Sequence, residues 1–214
     1  MNFAPTDDQQ MVRDMVKKFA EAEIKPVAAE LDKTHRHPED ICRKLGAMGI
    51  MGVAVPEEYG GAGMDNVAYV MAMIEISKAC ASCGVIVSVN NSLYGFPVKT
   101  YGTEEQKQKF LAPVASGQVE GCYALTESSA GSDAASLKCR AELKGGKYIV
   151  NGTKTFITNG NVAHYCVLAA TTDPALGYKG VINLLVDLKN TKGFHVGKVE
   201  EKLGILASGT AELV

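Results

Sequence analysis

The spacing of apolar residues changes once along the chain, close to Gly117, and this change constrains the fold more than any other feature of the sequence. Before Gly117, apolar residues recur at helical spacing, as in segment 12–20. After it, they alternate with polar residues, as in segment 137–143. Helices first and strands afterwards favour an α+β fold with separate helical and sheet domains over an alternating β-α-β sheet.

Two capping boxes predict where helices of the first half begin. Thr6 with Gln9 and Thr103 with Gln106 both have the Thr-x-x-Gln pattern, in which each side chain bonds the other residue's backbone N–H. Gly117 is well placed to close the second of these helices.

Proline and aspartate predict the other helix boundaries. Pro26 breaks the first helix near Ile24, and Pro38 is suited to be the first residue of another helix. Asp65 can cap a very apolar helix, which we expect to be buried on most sides. Residues 85–89 are β-branched and fit a strand or a buried helix equally well.

Turn signals divide the second half into strands. Gly145-Gly146 predicts a tight hairpin, and Asn151-Gly152 is a second turn signal. Three apolar runs follow, at residues 165–170, 181–188 and 194–196.

Composition excludes several classes of protein. The 214 residues are 46% apolar and 21% charged, as in globular proteins, and the formal net charge is only −2. Nothing in this charge balance predicts binding to nucleic acid, and no apolar run approaches the ~20 residues of a membrane span. The first ten residues do not have the pattern of a signal peptide. Six scattered cysteines favour a reducing compartment over a disulfide scaffold.

The common motifs of metal and nucleophilic chemistry are incomplete. Cys80 and Cys83 form the only Cys-x-x-Cys pair, without the second pair that a structural zinc site needs. The four histidines are scattered and none adjoins a nucleophile motif, so we expect neither a metal site nor hydrolase chemistry. Gly60–Gly63 reads as a loop and not as a dinucleotide-binding turn.

Two strand ends carry small hydroxyl residues and glycine. The first lies in Tyr123-Ala-Leu-Thr-Glu-Ser-Ser-Ala-Gly-Ser-Asp133, and the second in Phe156-Ile-Thr-Asn-Gly160. Two such ends in one sheet domain could hold a flat heterocycle through hydroxyl and backbone hydrogen bonds. The alternative is a pair of ordinary Ser/Gly turns.

These two segments resemble flavin-binding motifs of the acyl-CoA dehydrogenase family. Segments 48–64, 101–111 and 202–208 resemble three further family segments in the same order, so the resemblance covers the whole chain. It implies a helical domain at residues 1–118 and an antiparallel β-barrel-like middle domain at residues 119–214. A C-terminal four-helix bundle would follow, and its catalytic glutamate is expected beyond Val214, so we expect no catalytic residue within these 214 residues and no turnover by them alone.

The resemblance also implies a cofactor, a reaction and partners. FAD would accept a hydride from the β-carbon of an acyl-CoA while the glutamate removes the α-proton, and electrons would pass to an electron-transfer flavoprotein. The family assembles as tetramers or dimers, in the bacterial cytoplasm or, after removal of a transit peptide, in the mitochondrial matrix. An acyl-CoA oxidase of the same fold and a non-catalytic binding or assembly module remain the alternatives.

Individual site residues are carried over from the family motifs. The motifs place the acyl-CoA beside Ser132 and the Thr158 hydroxyl near flavin N5. Phe156 stands where the family often has Trp, and Ser128 stands where it has Pro. The cofactor-binding residues implied are Tyr123, Leu125, Thr126, Gly131, Ser132, Phe156, Ile157 and Thr158.

Segment 82–95 resembles the base of the acyl pocket in short-chain members of the family. It contains no Arg or Lys to pair with a dicarboxylic acyl chain, which favours an uncharged substrate. Bulky residues in it would shorten the pocket, and the alternative is that they are core packing. The residues implied are Val85, Val89, Leu93 and Tyr94.

Overall fold

The computed structural model describes residues 4–214, which form two compact units. The helical unit contains the residues up to Glu120 together with Glu201–Ser208, and the sheet unit contains Gly121–Glu200 and Gly209–Val214. Segment 201–208, which the prediction places in the middle domain, packs with the helical unit, where Ala207 is buried in the core.

The helical unit consists of short helices linked by π and 3-10 turns around one apolar core. Three helices are followed by π turns, at Ala20–Ile24, Val89–Gly95 and Lys107–Leu111. The helices are α1 (Asp7–Phe19), α2 (Ala28–Thr34), α3 (Glu39–Ala47), α4 (Asn66–Ala79), α5 (Ala81–Ser88), α6 (Phe96–Tyr101), α7 (Glu104–Gln106) and α8 (Ala112–Ala115).

Both predicted capping boxes are confirmed. At the start of α1, Gln9 N donates to Thr6 Oγ1 at 3.3 Å and Thr6 N donates to Gln9 Oε1 at 2.9 Å. Thr103 and Gln106 repeat the same pair of bonds at the start of α7. Asp65 also caps α4 as predicted, since its Oδ1 accepts from the backbone N–H of Ala68 at 2.9 Å.

The structure also tests three further predictions about the helical unit. Pro38 occupies the N-cap position directly before α3, so it is not the first helical residue as predicted. Residues 85–89 are helical, as the family resemblance implied. The expectation that α4 is buried on most sides is wrong, because only one face of α4 packs on the core of this unit. Val67 and Val70 on the other side are both 51% exposed.

Helix α3 makes an unusually close contact with the turn that follows α8. A Cβ atom on Gly46 would overlap the carbonyl oxygen of Ser116, and one on Gly117 would lie 2.9 Å from the carbonyl oxygen of Cys42. Gly117 also has a φ of +69°, which disfavours other residues. Glycine at both positions thus allows the two backbones to touch.

The sheet unit contains two sheets. Strand β5 pairs with β1 and β2 in parallel and with β6 antiparallel in a five-stranded mixed sheet, and β4, β8 and β7 form an antiparallel sheet. The sheets do not close into one barrel within the described residues, so the predicted antiparallel barrel-like form holds only loosely. The strands are β1 (Gly121–Ala124), β2 (Arg140–Lys144), β3 (Lys147–Asn151), β4 (Lys154–Thr158), β5 (Tyr165–Thr171), β6 (Val181–Asp187), β7 (Val196–Val199) and β8 (Thr210–Leu213).

The hairpin predicted at Gly145-Gly146 is confirmed. These residues connect β2 and β3 with φ values of +56° and +75°, as a type I′ turn requires. None of the helices described between residues 4 and 214 has the length and apolar character to cross a bilayer.

We expect Gly46→Ala to lower the free energy of unfolding by about 1–3 kcal/mol, because the new methyl group overlaps the Ser116 backbone. Gly204→Ala is the control, since no heavy atom lies within 4 Å of the Cβ it adds. Urea unfolding of the two variants checks this, and equal stabilities would contradict the close contact.

Candidate functional site

Strands β1 and β4 lie side by side in the sheet unit and carry the two predicted flavin motifs. Asn159 Nδ2 donates to the Gly121 carbonyl at 3.3 Å, and Thr155 N donates to the Thr126 carbonyl at 2.8 Å. These two contacts, at opposite ends, show that the segments run antiparallel. The structure thus brings together two motifs separated by about 25 residues of sequence.

Several side chains of these segments are available to a ligand. Phe156 is 63% exposed, and Tyr123, Thr126 and Thr158 are half-buried. Within the described chain, the hydroxyl groups of Thr126 and Thr158 have no hydrogen-bond partner. The surface therefore combines aromatic side chains with free hydroxyl groups, whereas the half-buried Leu125 packs against the buried cluster of Ala130, Leu137 and Ala169.

A β-bulge turns Phe156 outward. Lys154 pairs with Leu213, but Ile157 pairs with Ala211, so β4 has one residue more than β8 between these points. Phe156 takes the extra position with a φ of +59°. A bulky residue in this region costs roughly 1–3 kcal/mol and is typically found where a site requires it.

The chain after β1 folds back on itself at Glu127–Ala130. Glu127 N donates to the Ala130 carbonyl at 2.7 Å, and Ala130 N donates to the Glu127 carbonyl at 3.3 Å. A Cβ on Gly131 would lie 3.8 Å from Thr126 Cγ2, so the turn returns the chain to the end of β1. The exposed Ser132 follows directly after Gly131.

A buried ion pair connects the two motifs beneath this surface. Lys154 Nζ lies 2.7 Å from Glu127 Oε1 and donates to the Leu125 carbonyl at 2.8 Å. Their side chains are only 2% and 6% exposed. The backbone N–H groups of Lys138 and Cys139 also donate to the Glu127 carboxylate, at 2.8 and 3.0 Å.

These bonds control the ionisation of Glu127. Burial raises its pKa, but hydrogen bonds from Lys154 and from the two backbone N–H groups outweigh this effect, and the pKa lies below its ordinary value of 4.5. Because the folded-state pKa is depressed, the stabilisation by the carboxylate is complete above the ordinary value and is lost as the pH falls through the folded-state pKa.

The structure places some predicted site residues in the core. The Ile157 side chain is 2% exposed and packs among buried residues of the sheet unit, so only its backbone can face a ligand. Val89 and Tyr94 are 5% and 0% exposed, and Tyr94 Oη donates to the Phe110 carbonyl. These two residues can shape a pocket from beneath but cannot line it, because too little of either side chain is exposed. Leu93 is 47% exposed.

The helical unit has an open cleft of about 380 Å³ that the sequence did not reveal. Lys99 contributes the one cation among its lining residues, and its Nζ donates to the Ala54 carbonyl at 2.8 Å. A second, shallower groove between α4 and α5 includes Val85. Helical spacing could have indicated Lys99, since it lies about one turn after the predicted pocket segment. The cleft is lined by Ala54, Val55, Asn66, Tyr69, Val70, Asn91, Ser92, Phe96 and Lys99.

The six cysteines are all buried and free in the described chain. Cys80 directly precedes α5, and a hydrogen bond from Cys83 lowers the pKa of its thiol to about 6 against the opposing effect of burial.

Comparison with known proteins identifies the family. The family-wide pattern described as "Acyl-CoA dehydrogenase, N-terminal domain" matches residues 6–118, and that described as "Acyl-CoA dehydrogenase, middle domain" matches residues 122–214. The chain belongs to the acyl-CoA dehydrogenase family, which confirms the resemblance seen in the sequence.

Comparisons with individual proteins agree with this family assignment. The chain is 49% identical over its full length to a short-chain specific acyl-CoA dehydrogenase of Clostridium acetobutylicum, of which it covers 56%. It matches a chain of the Acidaminococcus fermentans structure of an electron transferring flavoprotein with a TM-score of 0.96 and 45% identity, covering 100% of this chain and 56% of that one.

A glutaryl-CoA dehydrogenase of Mycobacterium smegmatis in complex with FADH2 also has this fold. It matches with a TM-score of 0.90 and 34% identity, covering 98% of this chain and 53% of that one. These structures confirm the predicted combination of a helical domain and a sheet domain. The chain spans little more than half the length of these relatives.

We expect Lys154→Met to lower the free energy of unfolding by about 3–5 kcal/mol, because it leaves the Glu127 carboxylate buried without its cation. Lys144→Met is the matched control: Lys144 also pairs with a glutamate, at 2.9 Å, but its side chain is 62% exposed. Loss of that exposed pair should cost at most about 1 kcal/mol. Similar destabilisation of both variants in urea unfolding would show that the buried pair has no special role.

Proposed function

We propose that the full-length protein is an FAD-dependent acyl-CoA dehydrogenase that oxidises the α,β-bond of short, uncharged acyl-CoA thioesters. The observation that carries this proposal is that the segments of β1 and β4 lie next to each other, joined by a hydrogen bond from Thr155 N to the Thr126 carbonyl, which brings Thr126, Thr158 and the exposed Phe156 ring into the same part of the sheet unit. Membership of the acyl-CoA dehydrogenase family supplies the reaction class, and the short-chain specific relative supports the substrate class.

The residues at this surface fit an isoalloxazine ring. A flat heterocycle needs an aromatic or apolar contact on its face and hydrogen-bond donors at its edge. Phe156 supplies the first, and the partner-free hydroxyl groups of Thr126 and Thr158 supply the second. Gly131 and Ser132 follow the turn at Glu127–Ala130, and their backbone N–H groups and the Ser132 hydroxyl could meet phosphate oxygens. The relative solved with FADH2 supports the same assignment.

The residues of this chain would bind and orient the cofactor and the substrate. Bound FAD would supply the hydride acceptor. Thr158 would hold one edge of the ring, Phe156 would keep water from its face, and Ser132 would contact the acyl-CoA. The proton from the α-carbon would go to a glutamate in the chain beyond Val214. The contribution of these 214 residues is therefore placement of the reacting groups.

The acyl chain would occupy the helical unit. Val85 borders the groove between α4 and α5, and Leu93 is exposed, so both are available to a substrate. Lys99 is the one cation among the residues that line the cleft, and its Nζ donates to the Ala54 carbonyl. Segment 82–95 itself offers no Lys or Arg to pair with the second carboxylate of a dicarboxylic acyl chain, so we favour uncharged acyl groups.

We further propose that electrons pass to an electron-transfer flavoprotein and that the full-length protein forms a homotetramer or homodimer, in a bacterial cytoplasm or a mitochondrial matrix. The similarity to a chain of the Acidaminococcus fermentans structure supports this choice of electron acceptor over oxygen. Rapid oxidation of the reduced protein by air would favour the oxidase alternative.

Thr158→Val should weaken FAD binding and shift the flavin potential modestly in the full-length protein, because one hydrogen bond is worth about 0.5–1.5 kcal/mol. Thr153→Val is the control: Thr153 is exposed in the loop before β4. Fluorescence titration with FAD and a reductive titration measure the two effects. A Thr158 variant indistinguishable from the Thr153 variant would contradict the placement.

Activity of the full-length protein across acyl-CoA substrates of increasing chain length tests the substrate class. We expect a maximum at short chains and a graded decline, because each methylene group changes the transition-state free energy by only about 1–3 kcal/mol. A maximum at long chains, or a preference for glutaryl-CoA, would overturn the assignment. A purified protein that is colourless and does not bind FAD would overturn the function itself.

A further inference from the structure

Three side chains of different chemistry converge in the helical unit, and none of them is among the residues proposed for the reaction. His37 precedes α3, Cys42 lies in its first turns, and Glu120 follows α8. His37 Nε2 lies 3.1 Å from Glu120 Oε1 and 3.9 Å from Cys42 Sγ, and one donor atom from each residue lies within 4.8 Å of the other two.

We propose that His37, Cys42 and Glu120 form a binding site for a divalent transition-metal ion, with Zn²⁺ as the best match. Thiolate, imidazole and carboxylate are the three ligand types that Zn²⁺ binds in proteins. Ligands at Zn²⁺ distances of about 2.0–2.3 Å in a tetrahedral site are separated by roughly 3.3–3.8 Å. The distances from His37 Nε2 to Glu120 Oε1 and to Cys42 Sγ are already close to these values, and the third pair of donor atoms, within 4.8 Å, has to approach by at most about 1.5 Å.

The backbone holds these ligands together without the ion. Gly46 and Gly117 allow α3 to touch the turn after α8, and a Cβ on Gly117 would lie 2.9 Å from the carbonyl oxygen of Cys42 itself. Glu120 follows this turn by three residues. The contact therefore sets the separation between the two segments that carry the ligands, which reduces the ordering cost of binding.

The environment of the cluster suits a cation. Among the described residues, no Lys or Arg lies within ion-pair distance of the Glu120 carboxylate, whose only ion-pair partner is His37. Cys42 is 1% exposed, whereas the side chains of His37 and Glu120 are 14% and 12% exposed. An ion could enter from the side of these two residues and keep a water molecule as its fourth ligand.

One feature limits the expected affinity. The second ring nitrogen of His37, Nδ1, is buried and has no hydrogen-bond partner in the described chain. Metal-binding histidines normally donate from this nitrogen to an acceptor, and loss of such a bond weakens binding by about 10–100-fold. We therefore expect a dissociation constant near the micromolar range, weaker than that of a structural zinc site.

The test is equilibrium dialysis of the chelator-treated full-length protein against Zn²⁺, with elemental analysis of the bound metal. We expect one Zn²⁺ per chain, weakened by more than about tenfold in His37→Gln and Glu120→Gln and abolished in Cys42→Ala. Co²⁺ in place of Zn²⁺ should produce a thiolate-to-metal absorption band that Cys42→Ala removes.

Two controls separate this site from other cysteine and histidine residues. His35→Gln alters an exposed neighbouring histidine, and Cys83→Ala alters a buried cysteine of the same unit outside the cluster. Both should keep full binding. Glu120→Gln is nearly isosteric, so it tests the site even if Cys42→Ala unfolds the protein. The proposal would be overturned if the protein failed to bind stoichiometric Zn²⁺ even at concentrations well above micromolar. It would also be overturned if Glu120→Gln bound Zn²⁺ as tightly as the unaltered protein.

Discussion

The Glu127–Lys154 ion pair is the interaction on which the sheet unit's candidate site depends. A charge with 2% or 6% exposure is tolerated only when it is paired and its remaining hydrogen bonds are satisfied. Here the ammonium also bonds the Leu125 carbonyl, and the carboxylate accepts two backbone N–H groups from the chain entering β2. Three segments distant in sequence are thus held at one point, directly beneath the surface that carries Thr126 and Phe156.

Because this ion pair fixes one end of β4, neighbouring residues of the strand can have different roles. Lys154 and Ile157 point inward and are almost fully buried, whereas the strained Phe156 between them points outward. The buried side chains on both sides of Phe156 hold its backbone, which is how a positive φ at a bulky residue can persist. Stability and ligand contact are therefore provided by different residues of the same strand.

Local chemistry made much of this fold predictable. The two Thr-x-x-Gln boxes, Asp65 and Gly145-Gly146 act through neighbours within a few residues, so the sequence is sufficient to identify them. Features that depend on distant partners were not predictable from pattern: the parallel pairing of β1 with β5, the bulge in β4, and the burial of Tyr94. Helix α4 shows the same limit, because its apolar composition does not reveal which faces its own unit covers. The family resemblance, and not periodicity, identified the flavin motifs.

The bulge in β4 also determines how this segment can change in length. Side chains alternate in a strand, so removal of one residue between Lys154 and Ile157 would restore a regular ladder with β8 while deleting the position that turns an aromatic ring outward. Such a deletion would make the hydrogen bonding of the sheet more regular but would remove the aromatic ring from the candidate binding surface. An insertion at the Gly145-Gly146 hairpin, where a Cβ would meet no atom within 4 Å, carries no such conflict. Length variation among related chains should therefore be found at the hairpin and be absent from the middle of β4.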